Sequence, residues 1–236
     1  MKLLYYKNDI YYINPTQESS PKVLYIDNKK LTRLLNFIYI PLETEKLSKE
    51  QIISINKLRY IHKNDDEIYS LNSQIKLFFV DIIKYLQIDN LLDFGCGYDP
   101  IINYLDIEIN FVAFDIDDSL MPLLEDNITI SNNLELLKDN TFDLIISIFV
   151  FHFEITMTDI KKLYTILVKN GIIIANIYNR DDNSRHDLYL ALSTEGFKIR
   201  KLSLFSKKNH ELWLISKSEI NSNIINDIIK ISKKYW

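Results

Sequence analysis

Two patterns of apolar and polar positions divide the chain near residue 91. After that point, short and almost wholly apolar runs alternate with segments of helical periodicity, which is typical of a parallel sheet covered on both faces. The last two runs are separated only by residues 205–210, too few for a crossover helix, so they should form an antiparallel hairpin. The sequence therefore predicts an α/β fold with a doubly wound, seven-stranded, mostly parallel sheet whose last strand is antiparallel. The predicted strands are Leu91–Phe94, Phe111–Phe114, Ile128–Ile130, Leu144–Phe149, Ile172–Ile177, Lys198–Leu204 and Glu211–Ile215.

The residues before this sheet predict a small N-terminal β/helical extension. Ser48 and Gln51 have the spacing of a capping box, which would open a helix that runs to about His62. A second helical stripe reaches about Gln87, and a third covers the tail from Ser218 to Tyr235. We expect three parts: an extension over 1–66, which is a candidate substrate lid, a domain over 67–216, and a C-terminal helix over 217–236. Short alternating runs that indicate a β-meander are Leu3–Tyr6, Ile10–Ile13 and Val23–Ile26.

Composition narrows the class of protein. The net charge of −4 and the pI of about 5.6 disfavour binding of a polyanion by the molecule as a whole, although a local basic run at residues 198–208 keeps nucleic acid open as a partner. The single cysteine, Cys96, excludes an intramolecular disulfide and a cysteine cluster for zinc. We expect a cytoplasmic protein with no signal peptide, no membrane span and no metal ion; the oligomeric state is open.

A turn with two glycines follows the first predicted strand of the sheet. Gly95 and Gly97 are two of only four glycines in the chain, and Pro100 suits the first turn of a helix that would follow. Amides at the start of such a helix can bind a carboxylate or a phosphate. Because G-x-G-x-x-G lacks its third glycine here, and because no phosphate-binding loop of the G-x-x-x-x-G-K-[ST] type occurs, a smaller ligand with a carboxylate is favoured over a dinucleotide or a nucleoside triphosphate.

Asp115 ends the second predicted strand, twenty residues after Gly95. This separation fits one strand, one helix and a second strand, so the carboxylate should lie near the turn and accept hydrogen bonds from the two hydroxyls of a ribose. An alternative is that Asp115 caps a helix at Ile116. The first reading predicts a site for a nucleoside whose far end is charged.

Four segments, in order and with fitting gaps, resemble the successive motifs of class I S-adenosylmethionine-dependent methyltransferases over about residues 70–216. They are Leu92–Gly97, Phe114–Asp117, Thr141–Ser147 and Leu167–Ile174. The resemblance implies S-adenosylmethionine as cofactor and S-adenosylhomocysteine as product. It also implies roles for the site residues: Asp93 supports the turn, and Gly95, Cys96 and Gly97 lie against the methionine part. Asp115 holds the ribose, Ile116 flanks the adenine, and Ser131 and Asn132 approach the adenine amino group. Ser147 and Ile148 face the sulfonium.

The sequence leaves the methyl acceptor open. His152 follows the fourth predicted strand within the aromatic segment 149–153 and is the candidate general base, with structural packing as the alternative. We expect at least two phenylalanines of that segment to belong to the core, and we expect His186 to lie on the surface. The leading hypothesis is methyl transfer to O or N of a small molecule. One alternative is a ribosomal RNA methyltransferase, because segments 93–100 and 113–117 are similar to those of ribosomal methyltransferases that confer aminoglycoside resistance. The other is an inactive binding protein with the same fold.

Overall fold

The computed structural model describes residues 3–13, 21–26, 28–35, 37–62, 66–117, 119, 129–178, 181–204 and 210–236. The chain forms two compact units, Met1–Asn72 and Ser73–Trp236. No helix in these described ranges combines the length and the apolar character that crossing a membrane requires.

The first unit contains an antiparallel sheet with the strand order β1-β2-β5-β4-β3. Its strands are β1 (Leu3–Lys7), β2 (Ile10–Ile13), β3 (Val23–Ile26), β4 (Lys29–Leu35) and β5 (Ile38–Pro41). The first three lie where strands were predicted. Strands β1 and β2 form a hairpin, but β3 pairs with β4 and not with β2, so the three do not form a β-meander. Strands β4 and β5 were not predicted. Lysines and an arginine interrupt the apolar pattern of β4, and β5 ends in Pro41, a residue that weakens a strand prediction. Neither strand therefore has the clear alternation that predicts a strand.

Helix α1 (Lys49–Ile61) begins at the predicted capping box. The Gln51 amide donates to Ser48 Oγ at 3.2 Å, and the Ser48 amide donates to Gln51 Oε1 at 2.9 Å. The helix buries Ser54, Ile55 and Leu58. Asn8, in the turn between β1 and β2, donates to Ser54 Oγ at 2.9 Å, so the helix is also attached to the sheet by a polar contact.

The second unit contains a larger, mostly parallel sheet with the order β11-β12-β10-β9-β6-β7-β8. Only β12 runs antiparallel to its neighbours, β10 and β11, which confirms the prediction for the last strand. The α/β class is confirmed as well. The strands are β6 (Asn90–Phe94), β7 (Asn110–Phe114), β8 (Thr129–Ser131), β9 (Phe142–Ser147), β10 (Leu167–Tyr178), β11 (Lys198–Leu202) and β12 (His210–Ser216).

Helices α3 (Met157–Ile166) and α4 (Asp182–Thr194) pack against one face of this sheet, where their apolar side chains share a core with side chains of β6, β9, β10 and β12. Helix α2 (Asp66–Leu86) instead contacts the C-terminal region that contains α5 (Ser222–Ser232). Phe78 and Trp236 pack edge to face at 5.2 Å, and the Tyr85 hydroxyl donates to Asp227.

Several predicted boundaries were wrong. Strand β10 begins at Leu167 instead of Ile172, and β11 ends at Leu202 instead of Leu204. The predicted helix after Pro100 is a single 3₁₀ turn over Ile101–Tyr104, and Pro100 itself is extended. Only fifteen residues separate β6 from β7, which leaves little room for a longer helix on the way back to the sheet. The fourth strand of the domain ends at Ser147 instead of Phe149, because Phe149 adopts a left-handed backbone conformation with φ of 59°, which a strand does not accommodate.

The two edges of the larger sheet differ in length and charge. At one edge, β11 exposes Lys198, Arg200 and Lys201, which belong to the predicted basic run; Lys207 and Lys208 of that run lie outside the described residues. At the other edge, β8 has only three residues. Edge strands with short length or with charged side chains are those that natural sheets use to avoid pairing with other molecules.

Candidate functional site

The glycine turn lies directly after β6, where two residues take positive φ angles. Gly95 has φ of 81° and Gly97 has φ of 59°. The amides of Gly95 and Cys96 donate to Phe114 O at 2.7 and 3.0 Å, which fixes the turn against β7. A Cβ on Gly95 would stand 2.2 Å from Val150 Cγ2, whereas a Cβ on Gly97 would meet no atom within 4 Å. Gly95 is therefore required by its backbone and by Val150, while the space beside Gly97 is open to a ligand.

Asp93, in β6 directly before the turn, is hydrogen-bonded to the backbone that follows the turn. Its side chain is 4% exposed and accepts a hydrogen bond from the Ile101 amide at 2.8 Å. Burial raises the pKa of Asp93 to about 7, and the Ile101 amide and the charge of Lys76 oppose that rise only in part. The carboxyl is thus poorly compensated in its ionised form.

Asp99 fixes the far end of the turn. Its carboxylate accepts hydrogen bonds from Lys76 and from the Tyr104 hydroxyl, the latter at 2.6 Å. Although burial alone would raise it, these contacts hold the pKa of Asp99 below its usual value. Lys76 also donates to the Asp99 carbonyl at 2.6 Å, so α2 is tied to the backbone of the turn.

Asp115 contacts the glycine turn directly. One carboxylate oxygen accepts from the Gly97 amide at 2.9 Å and the other from the Asp117 amide at 3.0 Å. The side chain is 5% exposed, and burial raises the pKa of Asp115 although the backbone amides of Asp117, Gly97 and Ile116 lower it. A carboxylate has about four lone-pair positions, so acceptor capacity remains for a ligand hydroxyl. The helix-cap alternative falls partly on residues 118 and 120–128, which lie outside the described residues.

Asp117 is a buried carboxylate of this site that the sequence analysis missed. It is 4% exposed and accepts from the Tyr98 hydroxyl at 3.1 Å and from the Ser119 hydroxyl at 2.6 Å. The Tyr98 contact joins the glycine turn to the loop after β7. The sequence signal was the alternation of Asp115 with Asp117, which puts a second acid close to the first.

The predicted adenine contacts lie after β7 and β8. Ile116 is half-buried and packs against the core shared by the sheet, α3 and α4. Ser131 Oγ donates to Asn133 O at 2.8 Å and accepts from the Asn133 amide at 3.2 Å, so this hydroxyl serves a local turn. Asn132 is exposed. The Asp115 amide donates to Ser131 O at 3.2 Å and brings the two loops together.

Ser147 and Ile148, predicted to face the sulfonium, have different surroundings. Ser147 is the last residue of β9 and is fully buried, and its hydroxyl has no hydrogen-bond partner within the described part of the chain. Ile148 is half-buried and lies after the strand, not at its end as predicted. Because successive strand side chains point to opposite faces, Ser147 points to the face that carries α3 and α4, the same face as Phe94 and Ile145.

His152 lies in the loop between β9 and α3. It is half-buried, and its ring centroid stands 3.9 Å from that of Phe153 and 6.2 Å from that of Tyr178. Phe151 and Phe153 are 0% and 7% exposed, which confirms that at least two phenylalanines of the segment belong to the core. His186 is exposed on α4, as predicted.

A second polar group at the same sheet edge was also missed. Asn176 of β10 is fully buried and His210 of β12 is 4% exposed, and Asn176 Nδ2 lies 3.3 Å from His210 Nδ1. No pattern in the sequence indicates this pair, because the two residues lie 34 positions apart and become neighbours only through the antiparallel pairing of β10 with β12. Across the described ranges, no three residues of the types His, Cys, Asp and Glu are grouped so that they could hold a metal ion.

A glycine turn and an acidic strand end at the carboxyl edge of a mostly parallel sheet are typical of nucleoside-binding α/β domains. A family described as a methyltransferase domain matches residues 92–175, the part of the chain that carries this turn and this acid. This match supports the resemblance to class I S-adenosylmethionine-dependent methyltransferases. No curated protein sequence matches it.

Solved structures with a similar fold share little sequence with this chain. The 1,6-didemethyltoxoflavin-N1-methyltransferase of Burkholderia thailandensis, solved with 1,6-didemethyltoxoflavin and S-adenosylhomocysteine, is 13% identical with a TM-score of 0.52, and the match covers 83% of this chain and 98% of that one. A possible histamine N-methyltransferase of Thermotoga maritima is 14% identical, with a TM-score of 0.48 and coverage of 70% and 100%. At 13% identity, the similarity to the Burkholderia enzyme extends to the fold alone.

Proposed function

We propose that the protein is an enzyme that transfers a methyl group from S-adenosylmethionine to O or N of a small-molecule acceptor. The observation that carries this proposal is the hydrogen bond between the Gly97 amide and the Asp115 carboxylate, which puts an open backbone position beside an acid with acceptor capacity left. A ribose needs such an acceptor, and the methionine part needs such an opening.

Electrostatics support a positively charged ligand. Burial raises the pKa of both Asp93 and Asp115, so neither carboxylate is well stabilised by the protein itself. A cation close to the pair would favour its ionised form and would be bound more tightly in return. S-adenosylmethionine carries a sulfonium and an ammonium group. When bound, it supplies an electrophilic methyl group, and transfer of that methyl to the acceptor leaves S-adenosylhomocysteine.

This chain contributes binding, orientation and a base. The turn and Asp115 would hold the nucleoside, Ile116 would pack beside the adenine, and Asn132, which is exposed, is the better placed of the two predicted residues to reach the amino group. His152 would accept the proton that the acceptor O or N releases. The roles of Asp93, Gly95, Cys96, Ser147 and Ile148 stay predictions, as do the lid over residues 1–66, the domain bounds and the cytoplasmic location.

Calorimetry with S-adenosylhomocysteine tests the proposal. We expect the wild-type protein to bind with measurable heat, and Asp115→Ala to bind about tenfold more weakly or worse, because a charged acceptor of two hydroxyls is lost. Asp143→Ala is the matched control. Asp143 accepts hydrogen bonds from Asn90 at the amino end of β9, at the opposite edge of the sheet, so its loss should leave the affinity unchanged.

Absence of binding to the wild-type protein would contradict the enzyme proposal and favour the inactive binding protein. Equal affinity of Asp115→Ala and wild type would remove Asp115 from the site.

A ribosomal RNA acceptor is the second candidate, because β11 exposes three basic side chains. Binding of RNA through such contacts weakens steeply as salt rises. Salt-dependent binding of a ribosomal RNA fragment would favour this candidate, and no binding at low salt would exclude it.

A further inference from the structure

Asn176 and His210 form a buried polar pair at the edge of the larger sheet where β10 ends and β12 begins. Asn176 is fully buried and His210 is 4% exposed. The Asn176 amide group donates from Nδ2 to His210 Nδ1 at 3.3 Å. This contact requires the form of the imidazole in which Nδ1 carries no proton.

The other end of the Asn176 amide has unused hydrogen-bonding capacity. Asn176 Oδ1 is buried and has no hydrogen-bond partner among the residues that the structure describes. A buried carbonyl oxygen without a donor is unfavourable, and such atoms in native proteins call for a ligand, a water molecule or a functional role. Because Nδ2 faces His210, Oδ1 at the other end of the amide points away from the imidazole. His210 thus positions Oδ1 as an acceptor.

The strand register places this pair beside the predicted cofactor turn. Asp93 pairs with Ile146, and Ile146 pairs with Ile174, two residues before Asn176. Asn176 therefore points to the same face of the sheet as Asp93, one side-chain position nearer the carboxyl edge. Two strand spacings of about 4.8 Å each separate β6 from β10. The pair lies next to the residues that would hold a nucleoside, and not among them.

Two aromatic rings, those of Tyr178 and Phe149, pack against the imidazole of His210. Tyr178 and His210 have ring centroids 4.3 Å apart, and Phe149 packs edge to face on Tyr178 at 5.9 Å and on His210 at 6.2 Å. Phe149 is held at φ of 59°, and backbone strain of this kind clusters at functional sites. The acidic neighbour of His210, Glu211, alternates to the other face of the sheet, where it accepts from Arg185 and Trp213. These surroundings suit an uncharged planar ligand.

We propose that Asn176 and His210 recognise the methyl acceptor, and that this acceptor is an uncharged planar ring compound with an N–H or O–H donor. The donor binds Asn176 Oδ1, the ring packs against Tyr178 and Phe149, and His210 positions the amide. The proposal rests on the methyltransferase function proposed above and names the class of its substrate.

The first experiment uses the wild-type protein saturated with S-adenosylhomocysteine. Saturation-transfer NMR compares indole with 1-methylindole, which has the same ring without the donor, and cyclohexanol serves as a non-planar donor. We expect indole to bind at least about tenfold more tightly than either comparison compound, because the proposed site binds a hydrogen-bond donor and a planar ring at the same time. Equal binding of indole and 1-methylindole, or no binding of indole, would overturn the proposal.

Substitutions then identify the residues that cause the preference for indole over 1-methylindole. Asn176→Leu removes the acceptor at similar volume and should abolish the preference for indole, and His210→Gln should weaken it. His186→Gln changes an exposed histidine and should leave the preference intact. S-adenosylhomocysteine affinity, measured on the same samples, should stay within about twofold for all three.

A preference retained in Asn176→Leu would overturn the assignment. If that variant does not fold by circular dichroism, the wild-type comparison of indole with 1-methylindole decides. Failure of the wild-type protein to bind S-adenosylhomocysteine would instead contradict the proposed function, so the two failures are distinguishable.

Discussion

Asp93 makes the stability of the second unit depend on pH. Burial raises its pKa from 3.8 to about 7, so the folded protein holds this proton more tightly than the unfolded chain does. The contribution to stability is complete below about pH 4 and is lost as pH rises to about 7. Asp93→Asn cannot ionise and can still accept from Ile101. We therefore expect this variant to become progressively more stable than wild type from pH 5 to pH 7, with a constant advantage above.

Urea unfolding at pH 5, 6, 7 and 8 measures this difference. Asp143→Asn controls for the loss of one negative charge at the opposite edge of the sheet. A difference between Asp93→Asn and wild type that does not change with pH would show that the carboxyl is ionised throughout.

Cys96 should be chemically inert in the folded protein. It is 8% exposed, and burial, with the nearby acids Asp93 and Asp115, raises the pKa of its thiol far above the usual range. Reaction requires the thiolate, so a disulfide reagent such as DTNB should not modify the native protein but should modify it stoichiometrically in denaturant. Rapid modification of the native protein would mean that the turn opens readily.

Among the helices and strands, the sequence predicted those whose pattern is local. The capping box of Ser48 and Gln51 was predictable because both partners lie within one turn. Strand β7 was predictable because its apolar run is uninterrupted. The end of β9 was not, since it depends on the backbone of Phe149, and the pair of Asn176 with His210 was not, since it depends on how β12 returns to the sheet.

Loss of the cap should loosen the start of α1. Ser48 satisfies the Gln51 amide, and replacing such a residue by alanine costs about 1 kcal/mol of helix stability. We expect Ser48→Ala to speed hydrogen exchange of the amides in the first turn of α1, while Ser48→Asp, which can also cap, retains protection. Equal exchange in Ser48→Ala and wild type would show that the contacts of the buried residues Ile55 and Leu58 hold the helix without its cap.

The C-terminal end of the chain packs against helix α2. Tyr235 donates to Asp81 at 2.9 Å and to the Leu77 carbonyl at 3.1 Å, across more than 150 residues of sequence. We expect Tyr235→Phe to lower the free energy of unfolding by about 1 kcal/mol, since the hydroxyl is lost while the ring contact with Phe78 remains. Thermal unfolding measures this, with Tyr189→Phe on α4 as the control. Unchanged stability would mean that solvent replaces both contacts.

The basic edge of the larger sheet bears on how the protein behaves when it is concentrated. A second molecule that docked strand to strand on β11 would have to bring cationic side chains against Lys198, Arg200 and Lys201. Lys201 in addition covers the ring of Trp213 at 4.6 Å and shields apolar surface at that edge. The open edge of the sheet therefore repels its own copies, and fibrous self-assembly would have to begin elsewhere on the molecule.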